Sequence, residues 1–221
     1  MNARDRVFLT AGLLTAAVYL FARVAGAELI CLITKPIPVL LLAAWLFPAQ
    51  TRSDRLIVIG LLLSALGDLL LEWSSALFIA GLAAFLTAHL AYIGAFVARS
   101  RRTALPRALP FAAFGALSFL WLLPRLGSMT VPVLAYVVVI CMMMWRASAL
   151  LEEPQLARRG AWSAALGAGS FGISDTLVAW NRFVEPVLAL QILLMLLYWA
   201  GQWGIAASAR VPRSTTATAA K

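Results

Sequence analysis

Four ionisable side chains of this chain sit inside runs of apolar residues. Asp68 lies in GLLLSALGDLLLEW, and His89, the chain's only histidine, lies in the following run, ALFIAGLAAFLTAHLAY. Asp175 comes late, in GSFGISDTLVA, and Lys35 lies early, in LITKPIPVL. Hydrogen bonding alone needs only Ser or Asn, so an aspartate at such a position implies a charge partner, a proton role or both. Two carboxyl groups in an apolar interior can divide acid and base work between them. His89 suits a proton relay or a satisfied core donor. Lys35 suits a salt bridge to one aspartate or a grip on a phosphate.

The elements that must position these groups follow from composition. Of 221 residues 63% are hydrophobic and 12% charged, with a mean hydropathy of +0.91. A soluble domain has no use for that much apolar surface, which points to a polytopic helical membrane protein. The alternating ten-residue segments of an outer-membrane barrel do not occur. The net charge of +9 is spread between the apolar runs, a pattern of membrane topology and not of nucleic-acid binding. Cys31 and Cys141 both fall in apolar segments and read as small buried hydrophobes, with no disulfide framework and no metal cage.

Apolar segments run from the N-terminus to about residue 22 and then over 28–47, 55–73, 76–98, 106–123, 130–150, 160–181 and 185–208. Each is near the roughly 20 residues a span requires. Arg4 and Arg6 ahead of the first run would also suit a signal peptide, but a retained first helix fits the membrane-embedded remainder better. The expected fold is all-α, a bundle of eight transmembrane helices with both termini cytoplasmic. It forms one domain over 1–209, followed by a disordered polar tail over 210–221.

The basic residues support this count. Eight spans place fourteen of the eighteen Lys and Arg on the side of the termini and three, Arg23, Arg125 and Arg182, on the other, with Lys35 inside a span. That is a strong positive-inside asymmetry. Counting 1.5 Å per residue puts Lys35, Asp68 and Asp175 roughly 8–10 Å below the non-cytoplasmic face, and His89 near ~20 Å. Residues three or four apart share a helix face. Ser64, Asp68 and Glu72 form one stripe; Gly81, Phe85, His89 and Tyr92 a second. Gly167, Phe171 and Asp175 form a third, and Gln191, Tyr198 and Gln202 a fourth. Ser64, Gly81 and Gly167 read as helix-packing positions, and Glu72 and Glu28, at span ends, as interfacial. LGDLLLEW and ISDTLVAW hint at a parallel internal repeat four spans apart.

Several of these segments together resemble the YhhN-like lysoplasmalogenase family. They are Lys35-Pro36-Ile37-Pro38, Ser64-Ala65-Leu66-Gly67-Asp68, and Gly81 to Phe85 leading to His89 and Tyr92. Phe171 through Ser174-Asp175 with Asn181, and Tyr198-Trp199-Ala200-Gly201-Gln202, complete the set over about residues 29–206. The resemblance implies a membrane hydrolase that cleaves the vinyl ether of lysoplasmalogens to a fatty aldehyde and glycerophosphoethanolamine or glycerophosphocholine. It makes Asp68, Asp175 and His89 the catalytic candidates. Lys35, Tyr92, Asn181, Tyr198 and Gln202 become the substrate-binding ones. Vinyl ethers hydrolyse by protonation of the β-carbon and capture of the resulting oxocarbenium ion by water. That chemistry needs a protonated acid and a cation-stabilising carboxylate and requires no metal or cofactor.

The expected partners are a lysophospholipid substrate and the lipid bilayer, with no nucleic acid. The expected location is a bacterial inner or plasma membrane. Two other functions would use the same aspartates: a proton-coupled transporter and an intramembrane aspartyl protease. Against the protease, Ala65-Leu66-Gly67-Asp68 carries only one glycine of the usual Gly-x-Gly-Asp.

Overall fold

The computed structural model describes residues 3–211, which form helices and short turns with no strand among them. The helices are α1 (Ala3–Ala25), α2 (Glu28–Thr34), α3 (Ile37–Leu46), α4 (Arg52–Trp73) and α5 (Phe78–Arg99). The chain continues with α6 (Ala108–Leu126), α7 (Thr130–Ala149), α8 (Arg158–Phe183) and α9 (Leu188–Arg210). Six segments are long and apolar enough to cross a bilayer: Ala3–Ala25, Glu28–Leu46, Arg52–Trp73, Ser75–Arg99, Leu105–Glu152 and Leu188–Arg210. The longest of these holds both α6 and α7, which part at Gly127, a residue in the left-handed region with φ 51°. α8 falls short on apolarity because it carries Ser163, Ser170, Ser174 and Asp175. Those residues turn inward, where Ala164, Ala168 and Phe171 are fully buried.

The second apolar segment is broken. Pro36 has no N–H to continue α2, and Pro38 sits in the first turn of α3, where proline is tolerated. The break leaves Lys35 at a corner, with its side chain free to reach into the bundle. α4 begins with a capping box in which Thr51 and Asp54 exchange side-chain and backbone hydrogen bonds.

Three antiparallel hairpins hold the site residues in register. In α4–α5, Gly67 faces the Phe85 ring and Gly60 the Tyr92 ring, each closer than a Cβ would permit. In α6–α7, Gly115 sits against Cys141. In α8–α9, a Cβ on Gly167 would lie 2.8 Å from the backbone of Gly201 and Ile205, so only glycine allows this approach. A ladder of hydroxyls tightens the same seam: Ser163 donates to Gly204 O, Ser170 to Leu197 O and Ser174 to Leu194 O, each at 2.8 Å.

The start of α1, the end of α3 and the end of α9 meet at one end of the bundle. Arg210 donates to Trp45 O at 2.9 Å, and the Trp45 indole donates to Asp5 at 2.8 Å. Arg210, the first residue of the expected tail, belongs to α9. Residues 212–221 lie outside the described residues.

Candidate active site

Asp68 and Asp175 line one cavity, together with Lys35, Tyr136 and Tyr198. Most of its wall is apolar, from Leu71, Phe85, Leu122, Val137 and Met195 among others. Its water-accessible space is about 90 Å³. One water needs roughly 10–15 Å³, so the cavity has room for several.

Each aspartate accepts a hydrogen bond from a phenol on another helix. Tyr198 of α9 donates to Asp68 Oδ2 at 2.7 Å, and Tyr136 of α7 donates to Asp175 Oδ2 at 2.6 Å. Asp68 is 2% exposed, so no bulk water competes for it. Asp175 is partly open to the cavity, with 14% of its side chain accessible. The two faces repeat one plan: Asp68 on α4 meets a phenol of α9, and Asp175 on α8 meets a phenol of α7 and, beyond it, α5.

On α5 the partner is His89, whose Nε2 lies 3.6 Å from Asp175 Oδ2. Its Nδ1 lies 2.6 Å from the Phe85 carbonyl oxygen, which can only accept. Nδ1 therefore carries a hydrogen, and in the neutral ring Nε2 presents a lone pair to Asp175. At 3.6 Å the two atoms are beyond hydrogen-bond reach, and Nε2 stands buried without a hydrogen-bond partner beside the carboxyl group. Phe171 and Tyr136 pack edge-on against the imidazole at 4.7 and 5.3 Å between centroids and fix its plane.

Depth counting placed His89 about ten ångströms below Asp175. The structure corrects this. Side chains lean toward the N-terminus of their own helix, and α5 and α8 run in opposite directions past one another. With α5 starting at Phe78 and α8 ending at Phe183 the depth difference shrinks to about 4.5 Å, and the two side chains lean toward each other across it.

Lys35 differs from expectation as well. Its Nζ lies 3.0 Å from Glu72 Oε2, not on an aspartate, and Glu72 also pairs with Arg23. Glu72 is thus no interfacial residue but the shared anion of a triad, with 9% of its side chain accessible. It lies one turn from Asp68 on the same face of α4, so Lys35 still acts electrostatically on Asp68.

The remaining candidates divide. Tyr92 donates to Gln202 Oε1 at 2.7 Å, and Ser64 lies 3.5 Å from the same phenol. Both Tyr92 and Gln202 are fully buried behind Tyr198 and do not line the cavity. Asn181 lies apart, where its amide donates to Leu177 O and accepts from the Val187 N–H, closing the α8–α9 turn. It lines a more polar recess with Arg23, Arg182 and Gln191, joined to the main cavity through Lys35.

Sequence reasoning missed Tyr136. Its one signal was that no other hydroxyl stands between Thr130 and Ser148 in that apolar segment.

With this geometry in place, the comparisons with known proteins decide the lineage. Residues 30–209 match the model of the YhhN family. The chain belongs to the YhhN family. Among relatives of this YhhN protein is the human lysoplasmalogenase TMEM86B, 35% identical over 180 residues, which cover 80% of this chain and 74% of that protein. A Mycobacterium tuberculosis lysoplasmalogenase is 36% identical over 173 residues, covering 73% of this chain and 62% of the relative. The bovine lysoplasmalogenase TMEM86A is 36% identical over 167 residues, covering 73% and 66%. No solved structure matches the chain. Apolar helices and family membership together make this a multi-pass membrane protein.

Proposed function

We propose that this YhhN protein hydrolyses the vinyl ether of lysoplasmalogens, releasing a fatty aldehyde and a glycerophospho alcohol. The observation that carries the reading is the pair of phenol-bound aspartates in one largely apolar cavity. Relatives carrying the name lysoplasmalogenase support the same substrate class.

The side chains divide the chemistry as follows. Asp175 in its protonated form gives its proton to the β-carbon of the vinyl ether. The neighbouring carbon and the ether oxygen then share the positive charge. Asp68, held by Tyr198, stands as the carboxylate that stabilises this cation and orients water. Water adds to the cation and loses its proton, which returns to Asp175. The hemiacetal then collapses, breaking the bond from that carbon to the glycerol oxygen. The proton of the hemiacetal hydroxyl goes to the departing glycerol oxygen, which leaves as a hydroxyl together with the aldehyde. No net proton is consumed. Lys35, at the junction of cavity and polar recess, stands where a phosphate on the adjoining glycerol would lie.

The topology belongs to the same proposal. Eight spans, with the α2–α3 break inside the second, put both termini in the cytoplasm by the charge asymmetry. The bacterial inner membrane is the setting.

The direct test is aldehyde release by purified protein from a lysoplasmalogen, beside its saturated alkyl-ether analogue. Release from the vinyl ether alone is expected. No release from either would overturn the proposal.

A further inference from the structure

The reaction cavity is bounded on one side by α6 and α7. Gly115, Val137 and Cys141 form part of that boundary, and the same three residues line a second, apolar groove along the outer seam of the two helices. The wall is thin at this point. A Cβ on Gly115 would lie 2.5 Å from Cys141 Sγ and 3.1 Å from Val137 Cγ1, so α6 and α7 touch here and only the side chains of Cys141 and Val137, packed on bare backbone, part the two spaces. Along the length of α6 only Gly115, Leu122 and Leu126 are buried, which leaves that helix as an outer wall of the bundle.

The groove has a direction. Tyr136, hydrogen-bonded to Asp175, marks the level of the reacting groups. Cys141 lies five residues further along α7, about 7.5 Å away, and Trp145, at the far end of the groove, about 13 Å away. The polar recess with Lys35 and Arg182 lies at the opposite end, by the N-terminus of α5, where Arg182 stacks on Phe78. Cationic recess, aspartate pair and apolar groove therefore follow one another in the order of an amphiphile's headgroup, reacting bond and chain.

We infer that the alkenyl chain of the substrate leaves the reaction cavity past Gly115, Val137 and Cys141 and lies in the α6–α7 groove. This rests on the lysolipid-hydrolase reading above. The chain is thereby bound on the membrane side of the enzyme. The aldehyde, once cut from the polar headgroup, has a sideways path into lipid and does not pass the cationic recess.

The experiment uses the full-length protein in lipid nanodiscs and a saturated long-chain alkyl-ether lysophospholipid with a photoactivatable diazirine at the end of its chain. This analogue has no double bond to protonate, so cross-linking is independent of turnover. Cross-links are expected on the groove residues of α6 and α7, from Ala112 to Ala116 and from Val138 to Trp145, and excess unlabelled analogue is expected to suppress them. Cross-links confined to other helices would overturn the inference. Groove cross-links that excess analogue leaves unchanged would do so too, since they report ordinary bilayer contact. Aldehyde release assayed on the same preparation separates the two ideas. A protein that hydrolyses lysoplasmalogen but cross-links elsewhere keeps the function and loses the groove. A protein that hydrolyses nothing loses the function, whatever cross-links form.

Discussion

Tyr136 donates a 2.6 Å hydrogen bond to Asp175 Oδ2, the same oxygen that faces His89 Nε2 at 3.6 Å. One oxygen thus meets a committed donor and, just beyond hydrogen-bond reach, an unpartnered ring nitrogen. Tyr136→Phe removes the donor and little volume. A hydrogen bond to a charged or charge-developing group is worth about 1.5–3 kcal/mol, so a fall of ~10-fold to ~100-fold in kcat is expected, with little change in Tm. Unchanged kcat in a folded Tyr136→Phe protein would make the phenol a packing group only.

Glu72 is the shared partner of two cations, and its loss should cost more than the loss of either. Glu72→Gln leaves Arg23 and Lys35 facing each other without compensation, whereas Lys35→Met leaves Glu72 with Arg23. Up to about 3 kcal/mol of destabilisation is expected for Glu72→Gln and clearly less for Lys35→Met. For Lys35→Met the larger effect should be a raised KM, from the lost phosphate contact. Denaturation midpoints and KM of the two variants check this. A Lys35→Met protein as unstable as Glu72→Gln, with normal KM, would reduce Lys35 to a structural ion.

Much of this arrangement was legible in the chain itself. Apolar runs and basic loops give the helices to within a few residues, and the stripe of Ser64, Asp68 and Glu72 does face the interior. The glycines of α4 and α8 mark the close seams. What escaped was pairing between distant segments. Tyr136 is a lone phenol in an apolar helix, and nothing local tells it from a membrane-interface tyrosine. Lys35 and Glu72 are 37 residues apart, and only the corner at Pro36 shows which carboxylate the lysine reaches. Depth counting treats helices as parallel rods with side chains perpendicular to them, and the true helix ends together with the opposed lean of α5 and α8 defeat it at His89.

Protonation at carbon leaves an isotopic trace. In D2O the aldehyde is expected to carry one deuterium on the carbon next to its carbonyl, delivered there by the exchanged acid. Mass spectrometry of aldehyde trapped as it forms reads this directly. Aldehyde free of deuterium at that carbon would exclude vinyl-ether protonation as the route.

The eight-span arrangement makes its own demand. Reporter fusions after residues 50, 103 and 155 are expected on the cytoplasmic side, and fusions after 74, 127 and 185 on the other. Two successive fusion points reporting the same side would contradict the count.

The assignment of Asp175 as the proton donor is tested most directly by aldehyde release from the Asp175→Asn protein at a Tm matching the parent. An amide keeps the shape and can still accept from Tyr136, but it has no acidic proton to deliver. A loss of at least ~100-fold in kcat is expected, the scale typical of general acid catalysis. A folded Asp175→Asn protein turning over lysoplasmalogen at near the parent rate would contradict the account.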